Sequence, residues 1–93
     1  MNDNKHPFLH NKIVLITGGA GLLGACFADK IAENGGISVI ADINLQKAEK
    51  TASNINSSYP CKAYPIKLDI NSKESIEEAI KDITLKAETL VAH

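Results

Sequence analysis

Short apolar runs alternate along this chain with longer segments in which apolar residues recur at helical spacing. The short runs predict three β-strands, at residues 12–17, 37–41 and 62–68. The longer segments predict amphipathic helices at 22–34, at 45–56 and from about residue 71 onward. Strands that alternate with helices in this way predict an α/β fold with a parallel sheet and right-handed crossovers.

Polar residues and glycines predict where these helices begin and end. Asn34-Gly35-Gly36 should end the first helix, because glycine readily adopts the left-handed conformation of a C-terminal cap. Asn44 should cap the second helix, and Asn71 with Glu74 three positions later resembles a third helix start. Residues 87–93 fit either a longer third helix or the opening of a fourth strand, and we favour the strand.

A glycine-rich turn joins the first strand to the first helix. Gly18, Gly19, Gly21 and Gly24 follow directly on the strand, and the helical spacing begins at Leu22. Glycines in this position permit a sharp turn, a close approach of backbone to a diphosphate, and tight packing of helix on strand. The free N–H groups and the positive dipole end of the helix would then face the phosphates. The alternative is a strand–helix turn that binds no ligand.

An acidic residue lies at the distance that a dinucleotide site requires. Asp42 ends the second apolar run, about 20 residues after the turn, where a carboxylate accepts bonds from the adenosine ribose. It favours NAD, because the 2′-phosphate of NADP would meet like charge, and neither Gly19 nor Ile43 supplies a cation. The alternative for Asp42 is a solvated acid near a helix start.

The third predicted strand contains a proline, Pro65, at its centre. Proline cannot donate a hydrogen bond to a neighbouring strand, so this strand should lie at an edge of the sheet. An edge position agrees with the strand order 3-2-1 of one half of a Rossmann fold. The pattern therefore predicts an α/β, Rossmann-like, three-layer parallel sheet, present in part as βαβαβα.

The first predicted strand needs more cover than this chain supplies. Ile13 to Ile16 are apolar at successive positions, so both faces of the strand should be buried. One helix covers a sheet face poorly, and the outer edge of the strand has no partner. We therefore expect residues 11–93 to be the N-terminal half of a larger Rossmann NAD(P)-binding domain, truncated or ended early, with a flexible N-terminal arm at residues 1–10.

Composition and charge narrow the set of partners. Apolar residues make up 44% of the chain and charged residues 23%, and a net charge of −1 offers no basic patch for nucleic acid or an anionic membrane. No apolar run approaches the ~20 residues of a membrane span, and the N-terminus is polar. Cys26 and Cys61 lie far apart and the histidines form no cluster. We therefore expect no metal site and a reducing, cytoplasmic location.

Three stretches of the chain resemble the short-chain dehydrogenase/reductase family. They are TGGAGLLG at 17–24, IADIN at 40–44 and LDI at 68–70. The likeness extends from Lys12 to about Lys86 and corresponds to the N-terminal third to half of that family. Within the family, the first two stretches resemble the branch of flagellin-modification or acidic-sugar oxidoreductases.

The resemblance implies a cofactor site and a role for several residues. Gly18, Leu23 and Gly24 would line the pyrophosphate. Asp42 would take the ribose hydroxyls, and Asp69 with Ile70 would lie beside the adenine. An acid before a helix start is also common as a cap, which is the alternative for Asp69. The predicted cofactor residues are Gly18, Gly21, Leu22, Leu23, Gly24, Asp42, Ile43, Asp69 and Ile70.

The sequence also departs from the family. Its glycine spacing is TGxxGxxG, with Leu22 where the most common pattern has glycine, and this resembles the extended branch of nucleotide-sugar epimerases and dehydratases. The family's catalytic Tyr-x-x-x-Lys pair is missing, since Tyr59 is followed four residues on by Ala63, and Tyr64 by Leu68. No catalytic residue can be named, and we expect the 93-residue chain alone to be inactive.

Three functions stay open from the sequence. The first is an NAD-dependent oxidoreductase of the short-chain type, represented here by its dinucleotide-binding half. The others are an NAD-using nucleotide-sugar epimerase or dehydratase, and a non-catalytic nucleotide-binding fragment. By the resemblance, a full-length form would act on a small molecule, such as a sugar nucleotide, and could form a homo-oligomer.

Overall fold

A computed structural model of the protein describes residues 9–91. Three strands and three helices alternate in the predicted order. They are β1 (Ile13–Thr17), α1 (Leu22–Glu33), β2 (Ile37–Asp42), α2 (Leu45–Ser58), β3 (Ala63–Lys67) and α3 (Lys73–Val91). The α/β class is confirmed, and each strand lies within a residue or two of its predicted position.

The three strands form one parallel sheet in the order β1-β2-β3. This is the order 3-2-1 read from the opposite edge, with β2 in the centre. Pro65 lies opposite Ile40, and β3 is an edge strand of the described sheet. The edge position explains why the proline is tolerated, since no described strand lies on that side to accept a hydrogen bond from its backbone nitrogen.

The core lies on both faces of β2, which is buried along almost its whole length. On one face, Ile40 packs against small residues of α1 and α2, among them Ala28 and Ala48. Alanines let the helices approach the sheet closely. On the other face, Val39 and Ile66 pack with α3, so the molecule has the three layers predicted. Burying a side chain such as Ile40 contributes roughly 1.5–3 kcal/mol to folding.

One polar side chain lies inside this core. Ser38 is fully buried in β2, and its hydroxyl has no hydrogen-bond partner among the described residues. It shares a sheet face with Ile40, toward α1 and α2. A buried hydroxyl without a partner costs stability, because it loses water without gaining a replacement bond.

The caps of the first two helices are those predicted. Gly35 has φ of 86°, the left-handed conformation that ends α1. The Asn44 side chain accepts a hydrogen bond from Lys47 N at 3.1 Å at the start of α2. The third start is different, because Ser72 and not Asn71 caps α3, with its Oγ accepting from Ser75 N at 3.1 Å. Asn71 N–H instead donates to Asp69 Oδ1.

Two helices run further than the sequence predicts. The expectation of a fourth strand after residue 87 is wrong, because α3 continues to Val91; Ala92 and His93 lie outside the described residues. A strand needs a neighbour to bond with, whereas a helix bonds within itself, and Leu85-Lys86-Ala87 are strong helix formers. The second helix likewise extends two residues past its predicted end at Asn56, to Ser58.

The start of the described chain is tied to the body of the fold. Leu9 N–H donates to Asn34 O at 3.1 Å, at the end of α1. Residues 1–8 of the predicted arm lie outside the described residues. Between residues 9 and 91, no helix is both long enough and apolar enough to cross a membrane.

Candidate functional site

Three glycines from the end of β1 to the first turn of α1 have different structural roles. Gly18 has φ of 65°, a conformation that a side chain disfavours, and so makes the sharp turn. Gly19 and Gly24 touch each other, since a Cβ on Gly24 would lie 2.6 Å from the Gly19 Cα. This contact brings the start of α1 against the end of β1. Gly19 N–H also donates to Ala41 O at 3.1 Å, which ties the turn to β2.

Gly21 is different, because the fold itself does not require a glycine there. Its φ is −77°, an ordinary value for any residue. A Cβ at this position would meet only Gly18 O, at a comfortable 3.6 Å. The bare backbone at Gly21 therefore leaves space on the outside of the turn. Leu22, the next residue, is 85% exposed at the first position of α1.

The N-terminus of α1 carries free hydrogen-bond donors. Gly21 is its N-cap, with no side-chain cap bond, and the first turn holds no acidic residue. The first bond closing the helix runs from Ala25 N to Gly21 O. Among the described residues, no acceptor reaches the N–H groups of residues 22–24. By contrast, Asn44 and Ser72 cap the other two helices.

The carboxylate of Asp42 lies beside this turn. Its Oδ2 accepts a hydrogen bond from Ala20 N at 3.3 Å, and its Oδ1 accepts one from Asn44 N at 2.9 Å. A carboxylate has about four acceptor positions, so roughly two stay available. Asp42 is half-buried at the end of β2, so part of the residue stays accessible to solvent.

A cleft of about 450 Å³ lies at the carboxyl ends of the three strands. Two exposed isoleucines stand at it, Ile43 after β2 and Ile70 after β3, with 62% and 66% of their surfaces exposed. Asp69 lies between the strand end and Ile70, and its N–H donates to Ser75 Oγ at 2.9 Å. The lining residues are Thr17, Gly18, Ala41, Asp42, Ile43, Leu68, Asp69, Ile70 and Asn71.

A second cleft, of about 430 Å³, follows the outer edge of β1 and one side of α1. Leu23 and Gly24 line it together with Phe27, and Thr17 and Gly18 line both clefts. The structure thus brings five of the nine predicted site residues to the first cleft and three to the second, and Gly18 is counted in both because it lines both. Gly21 and Leu22 lie at the start of α1, outside the lining of either cleft.

The tyrosine Tyr64 and the two cysteines lie outside the lining of both clefts. Tyr64 Oη donates to Asp82 Oδ2 at 3.3 Å, and Lys86 Nζ lies 5.6 Å from the centre of the Tyr64 ring. This contact links β3 to α3. Cys26 and Cys61 are exposed free thiols. Within residues 9–91, no group of three or more metal-ligating side chains comes together.

Two hydrogen bonds at the site were not predicted from the sequence. The bonds from Ala20 N and Asn44 N to Asp42 give the carboxylate a part in holding the turn. The spacing Asp42-x-Asn44 is typical of a side chain that accepts from the backbone two residues on, and it could have indicated the second bond. Nothing local indicates the first bond, which spans 22 residues.

Comparison with known proteins places these features in a family. The family model for short chain dehydrogenases matches residues 12–91, which is most of the chain. The chain belongs to the short-chain dehydrogenase family. The matched residues include the glycine turn, the acid at the end of β2 and all three strands of the sheet.

The chain is also similar in sequence to individual oxidoreductases and related proteins. The chain is 36% identical over 75 residues to the uncharacterized oxidoreductase YuxG of Bacillus subtilis, covering 80% of this chain and 11% of YuxG. It is 35% identical over 72 residues to post-translational flagellin modification protein A of Campylobacter coli, covering 77% of this chain and 28% of that protein. The chain thus spans less than a third of the length of either relative.

The fold is also that of solved family structures. A protein of Haemophilus influenza that was solved with bound NAD superposes with a TM-score of 0.78 at 32% identity, over 84% of this chain and 28% of that one. Sorbitol-6-phosphate 2-dehydrogenase of Erwinia amylovora gives a TM-score of 0.72 at 32% identity, over 77% of this chain and 28% of the other. The partial Rossmann-like fold of this member of the family is therefore confirmed.

Proposed function

We propose that this chain is the cofactor-binding part of an NAD-dependent short-chain oxidoreductase, in which residues 11–93 supply the N-terminal half of the Rossmann domain. The observation that carries the proposal is the juxtaposition of Asp42 with an uncapped helix start. Asp42 Oδ2 reaches Ala20 N of the glycine turn at 3.3 Å, so an acceptor and a set of free donors share one short stretch of surface.

The donors and acceptor match the two chemistries of a dinucleotide. The unused N–H groups of residues 22–24 and the dipole of α1 favour an anion, and the bare backbone of Gly21 leaves room for a diphosphate. The roughly two unused acceptor positions of Asp42 match the two hydroxyls of a ribose. Ile43 and Ile70 offer apolar surface to the adenine, with Asp69 nearby.

We propose NAD as the cofactor in preference to NADP. A 2′-phosphate on the ribose would lie against the Asp42 carboxylate, and like charges at such distances repel. The positions next to the turn and to Asp42 supply no cation, since they hold Gly19, Ala20 and Ile43. The bound NAD in the Haemophilus influenza relative supports the same choice.

The chemistry of a bound nicotinamide is hydride transfer, and the protein supplies its position and electrostatic surroundings. The residues described here bind and orient, and none of them is placed to transfer a proton at the cleft. We therefore assign catalysis and the recognition of a small-molecule substrate to the full-length form. Free thiols at Cys26 and Cys61 support a reducing, cytoplasmic location.

We place the full-length protein among the oxidoreductases of the family, because the matching model is that of short chain dehydrogenases and YuxG is named an oxidoreductase. The flagellin-modification relative supports the narrower branch that the sequence motifs indicate. The sugar-derived substrate in this proposal rests on the resemblance of those motifs alone. The glycine spacing that resembles epimerases does not require that alternative. Gly21 leaves bare backbone one residue before Leu22, so a diphosphate has room there without a glycine at position 22.

A titration of the isotopically labelled chain with NAD, followed by amide resonances, tests the proposal. We expect NAD to shift the amides of residues 21–24, Asp42, Ile43 and Ile70, with smaller shifts along α3. NADP at the same concentration should produce smaller changes at the same amides. Shifts confined to other surfaces, or none at millimolar NAD, would contradict the assignment.

A further inference from the structure

The outer edge of β3 carries few hydrogen-bonding groups that another strand could use. In a strand, successive residues direct their backbone groups to alternate sides. Ser38 N–H donates to Lys62 O, and Leu68 N–H donates to Asp42 O, so the even-numbered residues of β3 face β2. The backbone groups of Ala63, Pro65 and Lys67 therefore point away from the sheet.

The first of these outward residues is already paired by a side chain. The amide of Asn56, on α2, accepts from Ala63 N at 2.9 Å through Oδ1 and donates to Ala63 O at 3.0 Å through Nδ2. The same Oδ1 accepts from Lys62 N at 2.9 Å. One side-chain amide thus makes with Ala63 the pair of bonds that the backbone of a neighbouring strand would make.

The second outward residue has nothing to donate. Pro65 lacks an N–H group, so a strand laid beside β3 would lose one ladder bond at the centre of the edge. Of the three outward residues, only Lys67 has an outward N–H that is not bonded to Asn56. The charged side chain of Lys67 is exposed at the end of the strand. A lysine on an edge also discourages pairing with another strand.

We propose that the Asn56 side chain acts as a substitute for a neighbouring strand and, together with Pro65, closes the β3 edge of the sheet against β-pairing with a second copy of this chain. Asn56 is held in place by the helix that carries it, since α2 packs directly on β3 through Ile55 and Ala63. The two devices act at successive outward positions, so a partner strand would find no complete ladder between residues 63 and 65.

The native protein provides the first test, through exchange of single amide hydrogens with deuterium. We expect the Ala63 amide to exchange at least ten-fold more slowly than the Lys67 amide, each rate corrected for its intrinsic value. Both amides lie on the same outer edge, and only the first is bonded to Asn56. Equal protection of the two amides would overturn the proposal.

The second test removes both features that close the outer edge of β3. The double variant Asn56→Ala with Pro65→Val restores a free edge, and we expect its self-association, measured by sedimentation equilibrium, to be at least ten-fold tighter than that of the native chain. Slower exchange at Lys67 with rising concentration should locate the contact on β3. Asn54→Ala, at an exposed position of the same helix, is the matched control and should associate as the native chain does.

The outer edge of β1 is the same in all of these chains, so any association through it cancels in the comparison. A double variant with native helical content and unchanged self-association would refute the closing role. If that variant fails to fold, Pro65→Val alone should still associate more tightly than the native chain, and the Ala63 exchange rate decides the role of Asn56.

Discussion

Replacing Asp42 by alanine should change which cofactor the chain prefers. In the native protein its carboxylate holds Ala20 N and Asn44 N and keeps about two acceptor positions free. Alanine removes the charge and every acceptor at once. Asparagine at the same position removes the charge but keeps one oxygen and the shape of the side chain, and so separates the two effects.

The loss of NAD affinity can be worked from these bonds. A hydrogen bond to a charged group contributes about 1.5–3 kcal/mol. Two such bonds from the ribose, weakened because Asp42 is only half-buried, together give about 2–3 kcal/mol, or roughly 30- to 150-fold in affinity. We therefore expect Asp42→Ala to bind NAD roughly 30- to 150-fold more weakly than the native chain does.

The effect on NADP should have the opposite sign. A 2′-phosphate carries close to two negative charges, and two unit charges 4 Å apart repel by about 1 kcal/mol in water and about 4 kcal/mol near a protein surface. Native discrimination against NADP should thus be at least about 2 kcal/mol, or roughly 30-fold. Removing the carboxylate should bring the NAD and NADP affinities to within about three-fold of each other.

The assay is a titration of native chain, Asp42→Ala, Asp42→Asn and Asp69→Ala with each cofactor. Asp69→Ala is the matched control, because that carboxylate lies at the same cleft but bonds its own loop through Asn71 N. It should leave the ratio of NAD to NADP affinity unchanged. A folded Asp42→Ala with the native ratio would show that the carboxylate does not face the ribose, and urea unfolding of each variant checks that it is folded.

Three further substitutions test the packing and the turn. Gly24→Ala should lower the free energy of unfolding by about 1–3 kcal/mol in urea, because its Cβ would lie 2.6 Å from Gly19 Cα; unchanged stability would contradict the close contact. Gly21→Ala should leave unfolding within about 0.5 kcal/mol of native yet weaken NAD binding in the same titration, and a large loss of stability would show that the fold needs this glycine. Ser38→Ala should be neutral or raise the free energy of unfolding by up to about 1 kcal/mol, since it removes a buried hydroxyl without a partner; a loss above about 1 kcal/mol would mean that the hydroxyl is bonded.

Much of the fold could be predicted from local pattern, because its strands and helices differ in the period of their apolar residues. The glycine turn, the Asn44 cap and the edge position of Pro65 each follow from a property of one residue type. Predictions of this kind need no knowledge of what lies nearby in space.

The predictions that failed depend on contacts between distant residues or on close competition between neighbours. The predicted second helix ends at Asn56, whereas α2 continues to Ser58, and no local pattern indicates the bond from Asn56 to Ala63. Ser72 and Asn71 are both good caps, and Ser72 takes that position while Asn71 bonds Asp69. The bond between Asp42 and Ala20 depends on how the turn lies against β2, which no local pattern specifies.

The cleft at the strand ends owes its existence to the route of the chain. The segment after β2 leads to α2 on one side of the sheet, and the segment after β3 leads to α3 on the other. The two connections part as they leave adjacent parallel strands, and a crevice opens between them. The crevice is formed by the path of the backbone and not by any single side chain. Substitutions at Ile43 or Ile70 should therefore change which ligand enters the crevice and leave the crevice itself open. A family with this architecture can change its ligands in this way without changing its fold.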